Sequence, residues 1–207
     1  MDSKVNLIGY SGHAYVICDI FELNRVTVVG YYDKEEKEIN PFNLKFLGSE
    51  DVLSEKGKVM ISIGNNNIRK NIAMKLSYDI EYVNAIHPNA FIAKSVQMGE
   101  GIMIGPNSTI NSLVTIGAHV IINSGAIVEH ECNIESFSHI ASGAVLAGNV
   151  TIGESTFIGA NAVIKQNVII GNNVTVGAGA VVLHDIPNGK TAVGNPAKII
   201  KRKQIKV

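Results

Sequence analysis

Tryptophan is absent from this 207-residue sequence, and cysteine occurs only at Cys18 and Cys132. Two cysteines cannot build the disulfide framework of a small secreted domain. Excess charge of either sign is missing too: Lys plus Arg and Asp plus Glu both number 18, for a formal net charge of +0. Nothing therefore supplies the basic field that nucleic-acid phosphates require. No apolar stretch approaches the roughly eighteen residues that a membrane helix needs, and the N-terminus does not read as a signal peptide. The expectation is a soluble cytoplasmic protein with neither a nucleic-acid nor a membrane partner.

What the chain does have is a period. From Ile86 to Val182 an aliphatic residue returns at every sixth position, seventeen times in succession, as in Ile104, Ile110, Ile116, Ile122, Val128 and Ile134. A second column four residues later, including Val114, Val120, Ala126, Cys132, Ser138 and Ala144, holds small or β-branched residues throughout. Strands point alternate residues to one face, so both columns turn inward on a short strand in each hexad. The pair two and three residues after each aliphatic then forms a corner, and fifteen of the seventeen pairs contain Gly, Asn, Ser or Asp, the residues that tolerate tight or left-handed backbone. Three strands and three corners make a triangular coil of about eighteen residues, a repeat architecture in which each coil contacts only its neighbours.

Two corners break the turn chemistry: Ala118-His119 and His130-Glu131. Failures of a strong local rule concentrate at functional positions, which makes His130 the leading candidate for a catalytic base. His87, His119 and His184 fall at different phases of the hexad, so no metal site is expected.

The first eighty or so residues have another rhythm. Strand signals at Val5–Gly9, Val26–Tyr31 and Val59–Ile63 alternate with helical spacing over Ala14–Leu23 and from Asn65 to about Leu76, as in a small parallel α/β sheet. Glycine-containing turns follow the first and third strands, where such sheets hold ligands. The first turn lacks the third glycine of a dinucleotide fingerprint, which excludes a simple NAD-binding reading. The charged segment Lys34–Pro41 reads as a solvated connection. The periodicity divides the chain into residues 1–84, a Rossmann-like domain, and 85–207, a β-helix with a short basic C-terminal tail.

The run from Val128 through His130-Glu131-Cys132 to His139, followed by Ala147-Gly148-Asn149-Val150, resembles the active-site signature of the PglD-type bacterial nucleotide-sugar acetyltransferases and the related sialic acid acetyltransferases. The resemblance covers nearly the whole chain and implies a left-handed parallel β-helix of hexapeptide repeats behind a Rossmann-like domain. It implies His130 as general base tuned by Glu131, with His139, Gly148, Ala160 and Ala178 against acetyl-CoA. In the N-terminal domain it implies Ser11, Gly12, His13, Asp33, Gly64 and Asn65 as the nucleotide-sugar pocket; the family often carries two acidic residues after the second strand, where this chain has Tyr32-Asp33. The closing Gly194-Asn195-Pro196-Ala197-Lys198 is shared widely among hexapeptide acyltransferases.

The chemistry agrees. Acetyl transfer from a thioester to an amine needs a base near neutral pH, which imidazole supplies, and hydrogen-bond donors for the oxyanion. Cys132 sits in the inward column and reads as packing, so direct transfer is expected rather than an acetyl-cysteine intermediate. His130 and His139 are half a coil apart, on opposite sides of one prism, so they cannot share a ligand in one chain, and a neighbouring subunit can bring them together. A three-faced prism packs naturally about a threefold axis, and the family forms trimers with acetyl-CoA in the grooves; a homotrimer with three active sites follows. The hexad register is unbroken by any acceptor loop, leaving the acceptor to the N-terminal domain. The implied activity is N-acetylation of the C4 amine of a UDP-4-amino-4,6-dideoxy sugar. The alternatives are O-acetylation of sialic acid and a non-catalytic sugar-nucleotide-binding scaffold.

Overall fold

The computed structural model describes residues 4–49, 57–76 and 80–200. The basic tail beyond Ile200, at residues 201–207, lies outside them. The N-terminal domain is a parallel sheet with strand order β3-β2-β1-β4-β5, built from β1 (Lys4–Ile8), β2 (Thr27–Tyr32), β3 (Lys45–Phe46), β4 (Lys58–Ile61) and β5 (Glu81–Tyr82). Helix α1 (Gly12–Leu23) follows β1, and α2 (Asn66–Lys75) follows β4. Three strands and two helices match the sequence expectation; β3 and β5 were missed because two residues carry no readable periodicity. The order reverses at β1, with β2 on one side and β4 on the other. The turns after β1 and β4 therefore meet at a topological switch point, the crevice where such sheets take ligands.

Two residues after β5 the β-helix begins at Ala85–Ile86, and seventeen two-residue strands, β6 to β22, run to Val181–Val182. They stack in three parallel sheets with eighteen-residue register, as in Thr109↔Ile127 and Ile121↔His139. Both inward columns are buried in one continuous core. Where the second column is polar, the hydroxyls are satisfied: Ser138 Oγ donates to the Gly153 carbonyl at 2.8 Å and accepts from the Thr156 N–H at 3.1 Å. The last coil is two residues shorter. Ile170 bridges to Ile186, sixteen positions on, so Ile186 takes the place of a leading aliphatic rather than the second-column place its spacing suggested. Past this coil, β23 (Thr191–Val193) and the antiparallel β24 (Lys198–Ile200) close the end, with Val181 N–H donating to the Gly194 carbonyl and Ala197 N–H to the Val181 carbonyl. The widely shared Gly194–Lys198 segment is thus a cap over an otherwise open edge.

Each corner turns on its second residue, which is left-handed at fourteen successive corners from Gly101 to Gly179. Asn and Gly hold most of them, but Leu113, His119, Glu131 and Phe137 have φ of 65°, 56°, 61° and 62°. Bulky residues there cost of order 1–2 kcal/mol each. Serine as first residue of the pair had concealed Leu113 and Phe137 from the sequence criterion.

The two parts are joined along one face and one corner of the prism. On the face, outward-pointing Met103 and Ile121 are buried with Ala14, Ile17 and Ile20 of α1. At the corner, the His119 ring stacks on Phe137 with centroids 5.1 Å apart and takes the edge of Tyr82 at 4.5 Å. The exceptional Ala118-His119 corner is therefore a docking surface within the chain. Between the two runs Arg69, 1% exposed, whose guanidinium donates only to neutral acceptors: Nε to the His119 carbonyl at 2.9 Å, Nη1 to the Ile63 carbonyl at 2.8 Å, Nη2 to Asn66 Oδ1 at 2.9 Å and the Phe137 carbonyl at 2.8 Å. Asn66 Nδ2 reaches the carbonyls of Ser155 and Thr156, both at 3.1 Å, and Lys70 pairs with Glu154 at 2.8 Å. No described helix is long and apolar enough to cross a membrane.

Burial, reinforced by the Arg69 charge, holds the imidazoles of His13 and His119 down to about 4, from an ordinary 6.5. Above pH 6.5 both folded and unfolded chains carry these rings neutral. Between 6.5 and 4 the unfolded chain takes up protons that the folded chain refuses, so stability falls with pH by as much as about 1.4 kcal/mol per unit for each ring. Calorimetry should therefore show Tm dropping across that window, and His119→Phe, which keeps the stack, should flatten the slope. A Tm independent of pH from 7 to 4.5 would contradict this.

Candidate active site

His130 is the first residue of a corner whose second residue, Glu131, is left-handed. That turn brings the Glu131 carboxylate back onto the ring beside it: Glu131 Oε2 lies 3.0 Å from His130 Nδ1. A carboxylate only accepts, so Nδ1 carries the proton and Nε2 is left with its lone pair, the arrangement that a general base with an orienting acid would need. Both side chains are exposed in the single chain. They border a hollow of about 430 Å³ shared with Ala147, Gly148, Asn149, Gln166 and Asn167.

Gly148 sits one coil above His130, with the Asn149 N–H donating to the His130 carbonyl at 2.8 Å. A Cβ on Gly148 would stand 2.6 Å from His130 Cε1 and 2.7 Å from Nε2. The glycine is needed first of all as the bed on which the imidazole lies, a closer constraint than the approach of a ligand that its spacing suggested. Cys132, next along the corner, points inward. Its thiol donates to the Ala147 carbonyl at 3.1 Å, and burial pushes it up to about 11, so it is not a thiolate nucleophile at neutral pH.

His139 is elsewhere, on the face that the N-terminal domain covers. It is buried, with Nδ1 3.3 Å from the Gly64 carbonyl, Nε2 3.4 Å from Asn123 Nδ2, and the ring edge-on to Phe157 at 5.2 Å. The His13 ring is 6.3 Å away, and its Nε2 is buried without a hydrogen-bond partner among the described residues. Burial is the main cause that holds His139 down to about 4, opposed by the Gly64 carbonyl and aided by Arg69 and His13. Ala160 and Ala178 stack on successive coils of a third corner, with the Gly179 N–H donating to the Ala160 carbonyl at 2.8 Å. One chain thus brings together His130, Glu131 and Gly148 in one place and His13, Gly64 and His139 in another.

The other pocket residues surround the switch point in separate hollows. Ser11 and Gly12, at the start of α1, line a cleft of about 510 Å³ with Tyr10, Tyr15 and residues 35–39. Gly64 and Asn65 line one of about 530 Å³ between α2 and the β-helix, with Ser155, Phe157 and Thr175 among its walls. Asn65 is also the N-cap of α2, accepting from the Ile68 N–H at 3.0 Å. Asp33 borders a smaller hollow of about 240 Å³, its carboxylate accepting from the N–H groups of Tyr10 at 2.9 Å and Lys34 at 2.8 Å and pairing with Lys37 at 3.2 Å. Sequence reasoning missed Arg69, Asn66 and Asn123 as parts of this region. The first two stand in the run Gly64-Asn65-Asn66-Asn67-Ile68-Arg69 after the third strand signal, where an arginine following an asparagine-rich turn was their only signal.

A prism of stacked hexads with a histidine–carboxylate pair and a glycine on one corner, joined to a parallel α/β sheet, defines the class of hexapeptide-repeat transferases. Residues 149–184 match the family described as bacterial transferase hexapeptide (six repeats), and residues 4–76 match the PglD N-terminal domain. Among solved structures, a perosamine N-acetyltransferase from Caulobacter crescentus, in complex with CoA and GDP-perosamine, is 33% identical with a TM-score of 0.90, covering 96% of this chain and 97% of that one. The acetyltransferase domain of PglB from Neisseria gonorrhoeae, in complex with acetyl coenzyme A, is 30% identical with a TM-score of 0.88 over 97% and 100%. The UDP-N-acetylbacillosamine N-acetyltransferase of Bacillus subtilis is 33% identical over 109 residues, 49% of this chain and 50% of that protein, so the match spans about half the length of that relative. The chain belongs to the PglD-type family of hexapeptide-repeat sugar N-acetyltransferases.

Two substitutions separate the roles at the corner. Gly148→Ala should displace the His130 ring and lower kcat by about 10²-fold, the scale of a lost general base, with little change in Tm. Cys132→Ala should keep kcat within about threefold, because the thiol only packs. Loss of turnover in the cysteine variant, with the fold intact, would restore the acetyl-cysteine route.

Proposed function

We propose that this chain is an acetyl-CoA-dependent N-acetyltransferase acting on the C4 amine of a UDP-linked 4-amino-4,6-dideoxy sugar, by direct transfer with His130 as general base. The observation that carries this reading is the His130–Glu131 pair at 3.0 Å, bedded on Gly148. His130 Nε2 takes the proton of the amine as its nitrogen attacks the thioester carbonyl carbon. Glu131 stabilises the resulting imidazolium through Nδ1–H, and the Gly148 N–H, which makes no hydrogen bond among the described residues, is a donor for the oxyanion. Collapse of the tetrahedral intermediate breaks the carbon–sulfur bond, and the imidazolium returns the proton to the departing CoA thiolate. The α/β switch-point crevice, with Ser11, Gly12, His13, Asp33, Gly64 and Asn65, holds the sugar nucleotide, the α1 N-terminus favouring its diphosphate.

The acetyl donor lies against His139, Gly148, Ala160 and Ala178, contributed by two chains of a cytoplasmic homotrimer. The outward residues of one β-helix face support such packing: Phe91, Ile127, Val145, Val163 and Val181 stack in one column interrupted only by Thr109, with Phe91 and Val163 exposed, whereas the face bearing Gln97, Thr115, Asn133, Thr151 and Ile169 is mostly polar. Heterologous contacts around a threefold axis place one chain's His130 corner near the next chain's His139 face. A second reading, a GDP-linked amino sugar as acceptor, is favoured by the similarity to the enzyme solved with GDP-perosamine.

Thiol release from acetyl-CoA, with UDP- and GDP-linked 4-amino-4,6-dideoxy sugars and with free and CMP-linked sialic acid offered in parallel, decides among acceptors. Turnover with the UDP-amino sugar, lost by about 10²-fold or more in His130→Ala, is the expected result, and light scattering should give three chain masses. Turnover only with the GDP sugar moves the assignment to the second reading; turnover only with sialic acid, or none with any acceptor, rejects it.

A further inference from the structure

The Gly64 carbonyl is a junction between two parts of the molecule. Gly64 lies in the loop between β4 and α2, on the proposed sugar-nucleotide side; its oxygen lies 3.3 Å from Nδ1 of His139, on the β-helix side. The same oxygen accepts from Arg69 Nη1 at 3.2 Å, and Arg69 grips the neighbouring Ile63 carbonyl at 2.8 Å. A carbonyl only accepts, so His139 carries its proton on Nδ1 and leaves the Nε2 lone pair facing Asn123 Nδ2 at a long 3.4 Å. Asn123 cannot turn its amide around, because its Oδ1 accepts from the Ser124 N–H at 2.8 Å.

We infer that Arg69 is a positioning residue for His139. By holding the Gly64 carbonyl in place, it fixes His139 as the neutral tautomer protonated at Nδ1 and ties the ring's orientation to the sugar-nucleotide loop. Support of this kind resembles the outer partners that orient metal-bound histidines, whose loss typically costs about 10–100-fold. Arg69 suits the task because its fork makes several bonds in fixed directions and it has no carboxylate partner among the described residues that could pull it away. The charged or titratable groups acting on the ring are Arg69 itself and His13. A movement of the Gly64 loop on binding of a sugar nucleotide would thus be transmitted to His139 through a single hydrogen bond. The kinetic consequence rests on the reading of His139 as a neighbour of the acetyl donor; the tautomer does not.

The test is a long-range proton–nitrogen NMR spectrum of the full chain labelled with ¹⁵N-histidine, the His139 signals being assigned by their loss in His139→Gln. Wild type should show His139 as the Nδ1–H tautomer. Arg69→Lys, which keeps the charge and loses the fork, and Arg69→Gln should both give a tautomer mixture. Lys70→Ala, which breaks a different contact across the same junction, should leave the tautomer as in wild type. In the acetyl-transfer assay Arg69→Lys should lower kcat about tenfold, with KM for acetyl-CoA changed less than about threefold. An Nε2–H tautomer in wild type overturns the inference, as does a wild-type tautomer in a folded Arg69→Lys protein; the latter remains decisive if Arg69→Gln fails to fold. A wild type that acetylates no sugar nucleotide refutes the proposed function instead, while the spectra still decide the role of Arg69.

Discussion

Left-handed corners turn backbone carbonyls out of the β-helix, and on one corner those carbonyls are buried. The half of the junction that lies on this corner depends on satisfying them. Arg69 and Asn66 do so from a single turn at the start of α2, reaching the carbonyls of His119, Phe137, Ser155 and Thr156 across three successive coils. A buried guanidinium without a counter-ion is expensive to desolvate, and burial pushes Arg69 down to about 10. Several charge-assisted bonds to aligned carbonyl dipoles offset that cost. The arrangement also explains a bulky corner in an unfavourable conformation: Phe137, with its left-handed φ, faces the incoming domain, stacking on His119 with Lys70 5.8 Å from its ring centroid.

The histidines divide into two electrical settings as a result. Those at the junction, His13, His119 and His139, lie near an arginine in a dry region and are held neutral far below the ordinary range. His130, on a corner the N-terminal domain does not cover, is partnered by a carboxylate instead. The same side chain is thus a buried, neutral ring at the junction and a ring paired with a carboxylate on the open corner. The difference comes from which corner of the prism each residue falls on.

Much of the architecture could be read from the sequence because a solenoid repeats its instructions. Up to the last coil the hexad located the inward columns and the corners, and the paired break at His130-Glu131 marked a side-chain pair that the structure brings to 3.0 Å. Legibility stopped where the repeat stopped or where distant segments met. The two-residue strands β3 and β5 had no period to show. The deletion in the last coil shifted Ile186 from one column to the other without disturbing hydropathy. Arg69 and Asn123 take their roles from partners fifty and sixteen residues away, which no local pattern records. Ala118-His119 broke the corner rule as clearly as His130-Glu131 did, yet its reason is packing against Tyr82 and Phe137; a broken rule locates a special position without saying what is special about it.

The eighteen-residue register gives the molecule a built-in ruler. Neighbouring strands in a sheet stand about 4.8 Å apart, so each coil beyond those that touch α1, α2 or the His130 hollow adds one fixed increment of length without disturbing the docked domain or the His130 corner. The short sixteen-residue coil and the Gly194–Lys198 cap decide where counting ends. Coil number past Asn167 is therefore a free dimension of this design: an extended ligand lying along the prism could be matched in length by inserting or removing whole coils, leaving the side chains around His130 at their present places.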